Sequence, residues 1–231
     1  GGGFFAYTEY TNWKGNEFGG LCRIDLANES ANDGNFATVT ELIKTDTPSS
    51  IIRDPALSYD ARRLLFAWRK GGNAGRWYKI YEMDLATGES RRITGDETYG
   101  ADYEPCYLPD GNILFNSTRV IQSVDCAGPD VSNLFICDAR GGRVRRVGFD
   151  QVHTLWPTVL DDGRVVVGGT FGDAAGLPNT NYIAAWDGDL YASGSGSTWE
   201  EYEAAQISSL FWRSTDGGET YELIEKQQNP T

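Results

Sequence analysis

Among the residue types that do chemistry, this chain of 231 residues carries one histidine, four cysteines and 33 carboxylates. The cysteines are followed by Arg23-Ile24-Asp25, Tyr107-Leu108-Pro109, Ala127-Gly128-Pro129 and Asp138-Ala139-Arg140. None of them opens a Cys-x-x-Cys-His sequence, the spacing that fixes a c-type haem through two thioethers and a histidine ligand. One histidine with no paired thiols at short spacing does not supply the ligand set of a zinc site. His153 stands just before an apolar run and reads as a packed, hydrogen-bonded residue rather than a base or ligand. Cys106 and Cys126 bracket a strand and its loop; they are the candidate disulfide, with reduced buried thiols as the alternative. Cys137 takes the place of Met83 in an aligned strand, which makes it a buried apolar position.

The carboxylates are periodic. Asp60, Asp110 and Asp162 recur at the same turn of successive units, as structural turn residues do. Glycoside hydrolysis needs two carboxyl groups facing one another across about 5–9.5 Å. Sialidase chemistry further needs an arginine cluster with a Tyr–Glu pair, yet Arg91-Arg92 and Arg145-Arg146 fall on outer strands of different units. Asp161-Asp162-Gly163 lacks the full ligand loop of a Ca²⁺ site, so turn capping is the preferred role. From these residues we expect no catalytic constellation, no metal and no cofactor. Trp68, Trp77 and Tyr78 surround the loop Gly71–Gly75 and offer either a contact surface or packing between units, with packing favoured.

The elements that carry these residues repeat. Asp54-Pro55-Ala56-Leu57-Ser58-Tyr59-Asp60 is followed by Leu64-Leu65-Phe66. The phrase returns as Glu104-Pro105 through Asp110-Gly111 to Ile113-Leu114-Phe115, and as Trp156-Pro157 through Asp162-Gly163 to Val165-Val166-Val167. The prolines at 55, 105 and 157 stand 50 and 52 residues apart. A fixed period of that size marks a repeat architecture whose units bury their apolar faces against one another. Second strands are expected over Phe4–Tyr10, Arg63–Lys70, Asn112–Val120, Arg164–Phe171 and Asp189–Gly196. Third strands are expected over Leu21–Leu26, Lys79–Leu85 and Asn133–Ala139, and fourth strands over Thr38–Ile43, Ser90–Thr94 and Val144–Gly148.

Four antiparallel strands per unit make a β-propeller blade. The expected fold is therefore all-β, a β-propeller of four-stranded antiparallel blades. Approximate blades are 1–47, 48–98, 99–150, an incomplete 151–180, and 181–231. Too few residues separate Phe171 from the next first strand, Tyr182–Gly188, for two strands and their turns. The ring is thus expected to be incomplete, or a fragment of a larger one. The tail Ser214-Thr215-Asp216-Gly217-Gly218-Glu219-Thr220-Tyr221 fits the Asp-box pattern, Ser-x-Asp-x-Gly-x-Thr-aromatic. In such a turn the aspartate caps backbone amides, the glycine permits positive φ, and the aromatic packs beneath.

Composition narrows the partners. Net charge is −13, which argues against nucleic acid or an anionic membrane, since both need a basic footprint. No apolar run approaches the ~20 residues that span a bilayer. The chain starts Gly-Gly-Gly-Phe-Phe, with no initiator Met or signal segment, and is expected to be a processed or excised piece. Four cysteines and the sequons Asn28-Glu29-Ser30 and Asn116-Ser117-Thr118 are compatible with export.

From Asp54 to about Gly169 the chain resembles TolB-like propeller repeats, and more closely the middle propeller domain of hydrazine synthase alpha-subunit-like proteins. Besides the phrases above, Lys79-Ile80-Tyr81-Glu82-Met83-Asp84, Val124-Asp125-Cys126 and Val131-Ser132-Asn133-Leu134 carry the likeness. It implies a secreted or periplasmic propeller, in some relatives beside c-type haem domains. Without Cys-x-x-Cys-His here, the family's redox chemistry does not carry over. The tail is instead similar to the Asp-box repeats of sialidases and of many non-enzymatic propellers.

The function expected is an extracellular or periplasmic binding or scaffolding module, leaning away from an enzyme, with a protein or glycan partner. The alternatives are the propeller portion of a hydrazine-synthase-like multihaem enzyme, associated with a haem-bearing domain or subunit, and an Asp-box glycosidase.

Overall fold

The computed structural model describes residues 20–25, 38–45, 47, 50–71, 77–95, 99–124, 127–129, 131–150, 153–160, 162–169, 180–186, 189–196, 208–216 and 220–228. These residues form strands and turns and no helix. Phe4–Tyr10 lies outside them. The strands belong to two compact units, Gly1–Tyr103 and Glu104–Thr231.

In the first unit β1 (Gly20–Asp25) pairs with β2 (Thr38–Lys44). A four-stranded antiparallel sheet follows, made of β3 (Ile51–Leu57), β4 (Arg63–Arg69), β5 (Lys79–Asp84) and β6 (Ser90–Arg92) in sequence order. β7 (Asp102–Tyr107) begins at the boundary, and β8 (Ile113–Ser117) follows it. A small hairpin, β9 (Ser123–Val124) with β10 (Ala127–Pro129), precedes β11 (Asn133–Cys137) and β12 (Arg145–Arg146). The sheet order is β12-β11-β8-β7. β13 (Thr154–Val159) and β14 (Val165–Gly169) form a two-stranded sheet. The last sheet is a meander of β15 (Thr180–Trp186), β16 (Asp189–Gly196), β17 (Ser208–Ser214) and β18 (Glu222–Gln228). The chain is all-β, and its repeating sheet is the four-stranded antiparallel blade of a β-propeller.

The periodic prolines mark a backbone device. Asp54, Glu104 and Trp156, each directly before a proline, have φ of 55°, 49° and 49°. A non-glycine residue in that region costs on the order of 1 kcal/mol or more. Proline has no N–H to give a ladder, so within strands it is tolerated at edges and bulges. The registers agree: pairing shifts between Arg53 and Ala56 and between Leu155 and Thr158. β3 and β7 are also terminal in their sheets.

The turns repeat too. Leu108 and Leu160 donate N–H bonds to Asn112 and Arg164, while Gly111 and Gly163 take φ of 83° and 85°. The equivalent turn after β3 is one residue longer, closing from Ser58 N to Arg63 O, and Ala61 takes the positive φ.

Apolar residues of these strands make the cores. In the first unit Leu21, Phe66, Tyr81 and Met83 are buried together, flanked by Ile43, Ile52 and Trp68. Phe66 and Tyr81 stack at 6.0 Å. In the second unit Leu190 and Trp212 are buried with Leu160, Val166 and Tyr221 against them. Replacing Phe66 by Ala should therefore cost about 3–5 kcal/mol in urea unfolding; a loss below about 1 kcal/mol would show that this core is not formed.

Candidate functional site

The recurring aspartates are turn residues. The Oδ1 atoms of Asp60, Asp110 and Asp162 accept the N–H of Arg62, Asn112 and Arg164 at 3.2, 3.0 and 2.9 Å. Asp84 caps Ala86 and Thr87 at 2.9 and 3.0 Å, and Asp138 caps Arg140 and Gly142 at 2.9 Å each. These bonds favour the charged form. Asp60 is held below the ordinary 3.8 chiefly by the Ser58 hydroxyl. Asp84, Asp138 and Asp162 are lowered chiefly by the N–H groups of Thr87, Gly142 and Arg164.

The tail turn is built in the same way. Ser214 Oγ and Thr220 N donate to Asp216 Oδ1 at 2.7 and 2.9 Å, and Thr220 Oγ1 donates to Oδ2 at 2.5 Å. Ser58 reaches Asp60 at the same 2.7 Å. Tyr221 is half-buried, and burial raises its phenol above 10.0. Gly218 lies outside the described residues.

A cluster of buried polar groups lies in the second unit, and sequence reasoning missed it. Glu104, at a positive φ within β7, accepts on Oε2 from Asn116 Nδ2 at 2.7 Å and from the main-chain N–H of Trp156 at 2.6 Å. Asn116 Oδ1 in turn accepts from Thr154 Oγ1 at 3.0 Å. Ser132 Oγ donates to Thr154 O at 2.9 Å, and Ser132 N–H donates to His153 Nδ1 at 3.1 Å. An imidazole nitrogen that accepts an N–H carries no proton, so in neutral His153 the proton sits on Nε2. His153 is thus a packed, hydrogen-bonded residue. Asn116 is fully buried and engaged on both amide atoms, which removes its sequon from the accessible surface. Asn28 is outside the described residues.

Cys106 lies on β7 beside this cluster. Burial, with the Glu104 carboxylate, pushes its thiol up to about 12, so it is not a nucleophile near neutral pH. Cys126 lies outside the described residues, and the pairing stays a proposal. Cys137 is buried.

A depression of 410 Å³ in the first unit is lined by Arg63, Glu82, Asp84, Glu89, Ser90 and Arg91. Its buried carboxylate is taken: Arg91 Nε donates to Glu82 Oε2 at 2.9 Å, and Arg63 reaches Oε1 at 3.4 Å. The aromatic residues near Gly71 pack. Trp68 lies 5.2 Å from Tyr81, Trp77 lies 5.0 Å from Tyr99, and Tyr78 is buried. Among the described residues no three His, Cys, Asp or Glu side chains are grouped to hold a metal.

One corner of the second unit differs. Phe149 and Ile121 are 72% and 83% exposed. Arg146 lies against Phe149, its guanidinium 4.8 Å from the ring centre, and its Nη2 donates to Gln122 Oε1 at 3.4 Å. Gln122 donates to Asp150 O at 3.0 Å, so the residues next to Ile121 and Phe149 are bonded to each other. This is an apolar surface with a cationic frame.

No family model and no curated protein matches the chain. Among solved structures it is similar to TolB of Acinetobacter baumannii, at 20% identity over 84% of this chain and 49% of that one, with a TM-score of 0.49. It is also similar to a TolB-type protein of Agrobacterium tumefaciens (14% identity, 89% of this chain, 60% of that one, TM-score 0.42). Hydrazine synthase of Kuenenia stuttgartiensis is similar at 13% identity over 84% of this chain and 27% of that one, with a TM-score of 0.46. The chain thus spans 60% or less of the length of these chains.

Two outcomes follow from the site geometry. Glu104→Ala strands two donors in the interior and should cost roughly 3 kcal/mol or more in urea unfolding, with Glu104→Gln milder because its carbonyl still accepts; equal, small effects would contradict the cluster. The depressed turn aspartates stabilise the fold above their ordinary value of 3.8 and lose that contribution as pH falls through their lower folded values. Thermal melting should be flat from neutral pH to about 5 and fall below about 4. A drop centred near pH 6 would contradict this account.

Proposed function

We propose that this chain is an extracytoplasmic β-propeller module that binds or scaffolds a protein partner, with a glycan as the second partner class. The observation that carries the reading is the exposed pair Ile121 and Phe149, with Arg146 against the Phe149 ring and bonded to Gln122 beside Ile121. Large apolar side chains fixed at a surface and framed by polar groups mark interaction sites. Chemistry-bearing groups of the second unit are otherwise employed: Asp138 and Asp162 cap amides, His153 accepts a main-chain N–H, and Glu104 holds two donors. The extracytoplasmic placement rests on the TolB-like resemblance and the four cysteines.

The test is position-specific photo-crosslinking. Benzoylphenylalanine placed at 121 or 149 in the full chain, incubated with extract of its native source, should give a discrete protein adduct that excess unmodified chain abolishes. The same probe at Thr87, in an exposed turn of the first unit, should not. Equal adducts at all three positions, or none at 121 and 149, would overturn the reading.

A further inference from the structure

The outer strand that carries this corner is locally basic in an acidic protein. Residues 139–149 read Ala-Arg-Gly-Gly-Arg-Val-Arg-Arg-Val-Gly-Phe, with four arginines and no carboxylate, in a chain of net charge −13. Arg146 is engaged: its Nε donates to Gly148 O and its Nη2 to Asn133 Oδ1, each at 2.6 Å. The others are exposed. The Arg143 side chain is 90% exposed, and Asp138, 4.0 Å away, is already capping Arg140 and Gly142. Arg145 is exposed and makes no ion pair among the described residues. Val144 and Val147, which flank Arg145 and Arg146, are exposed as well.

The main chain is available in the same place. β12 is terminal in its sheet. Val147 N donates to Leu134 O at 2.9 Å, and Arg145 stands opposite Ile136. Antiparallel alternation therefore turns the N–H and C=O groups of Val144 and Arg146 away from β11. An edge with free ladder groups, flanked by side chains of one charge, is a template for an added strand.

We infer that the edge of β12 docks an acidic peptide segment in extended conformation. Its carboxylates would lie on Arg143 and Arg145, and an apolar side chain would lie on Phe149 and Ile121. This rests on the protein-binding reading above and names the partner's chemistry. Charge complementarity selects the occupant: a short acidic segment meets only this strip, whereas a long polyanion or a membrane also meets the rest of the 33 carboxylates. Exposed ion pairs each raise affinity only roughly 2–5-fold, so the apolar anchor supplies specificity.

The probe is a fluorescein-labelled peptide of about ten residues, alternating Glu and Val around one central Phe, long enough to span a strand. Its anisotropy is followed against the full chain. It should bind at least about tenfold more tightly than the same peptide with Gln for Glu, and more weakly at raised salt. The double variant Arg143→Glu with Arg145→Glu should lose about tenfold or more, and Phe149→Ser about fivefold, with melting temperatures unchanged. Equal binding of the Glu and Gln peptides, or undiminished binding by the charge-reversed variant, overturns the inference. So does equal binding of single-stranded DNA of the same length, which would mark the strip as a polyanion site. If crosslinks at 121 and 149 persist while the peptide does not bind, the acidic-strand inference fails and the protein-binding reading stands. If the crosslinks are absent as well, both fail.

Discussion

The Glu104 carboxylate accepts the Trp156 N–H at 2.6 Å and the Asn116 amide at 2.7 Å, and the order of the second unit depends on that one buried oxygen. Both backbones that meet there are in the left-handed region, directly before a proline. Such a bulge leaves an N–H that the ladder cannot use, because the strand register has shifted around it. A buried N–H without an acceptor is costly, and a buried carboxylate without donors is worse. Each solves the other's problem. The strain of two positive-φ residues is thereby held in place by a charge-assisted pair that links β7 to β13 through one side chain.

From that anchor the remaining polar groups follow in order. Asn116 is oriented by Glu104, Thr154 by Asn116, and the Ser132 hydroxyl by the Thr154 carbonyl. His153 closes the chain as an acceptor, which ties the only imidazole of the sequence to structure rather than to acid–base work. The aspartates that recur with the period do similar work outside, at the turns. The consequence is a division of labour: the described interior and turns use their carboxylates on themselves, while β12 and the residues flanking it present the exposed Arg143 and Arg145 and the exposed apolar Val144, Val147 and Phe149.

Most of the strand pattern was legible because it rests on local rules. The proline period, the Asp-Gly turns and the apolar runs place β4, β5, β8, β11, β14 and β16 within a few residues of where they lie. The strands read shorter where packing ends: β12 keeps only Arg145–Arg146 of the expected Val144–Gly148. The hairpin of β9 and β10 was not foreseen, since strands of two and three residues leave no period to read. The Glu104 cluster was hidden for a different reason. Its members are separated by up to 52 residues, and only contact in three dimensions joins them. One signal was present: Glu104-Pro105 and Asp54-Pro55 both put a carboxylate before the periodic proline, where an acidic residue has no turn to cap.

The most direct measurement is residue-resolved amide hydrogen exchange on the native chain. If the Glu104 carboxylate anchors the second unit, the Trp156 amide should exchange only through global opening, as slowly as that of Phe115 in the middle of β8. Exchange of Trp156 at the rate of an exposed residue such as Arg143 would contradict the account, because that N–H would then have no lasting acceptor.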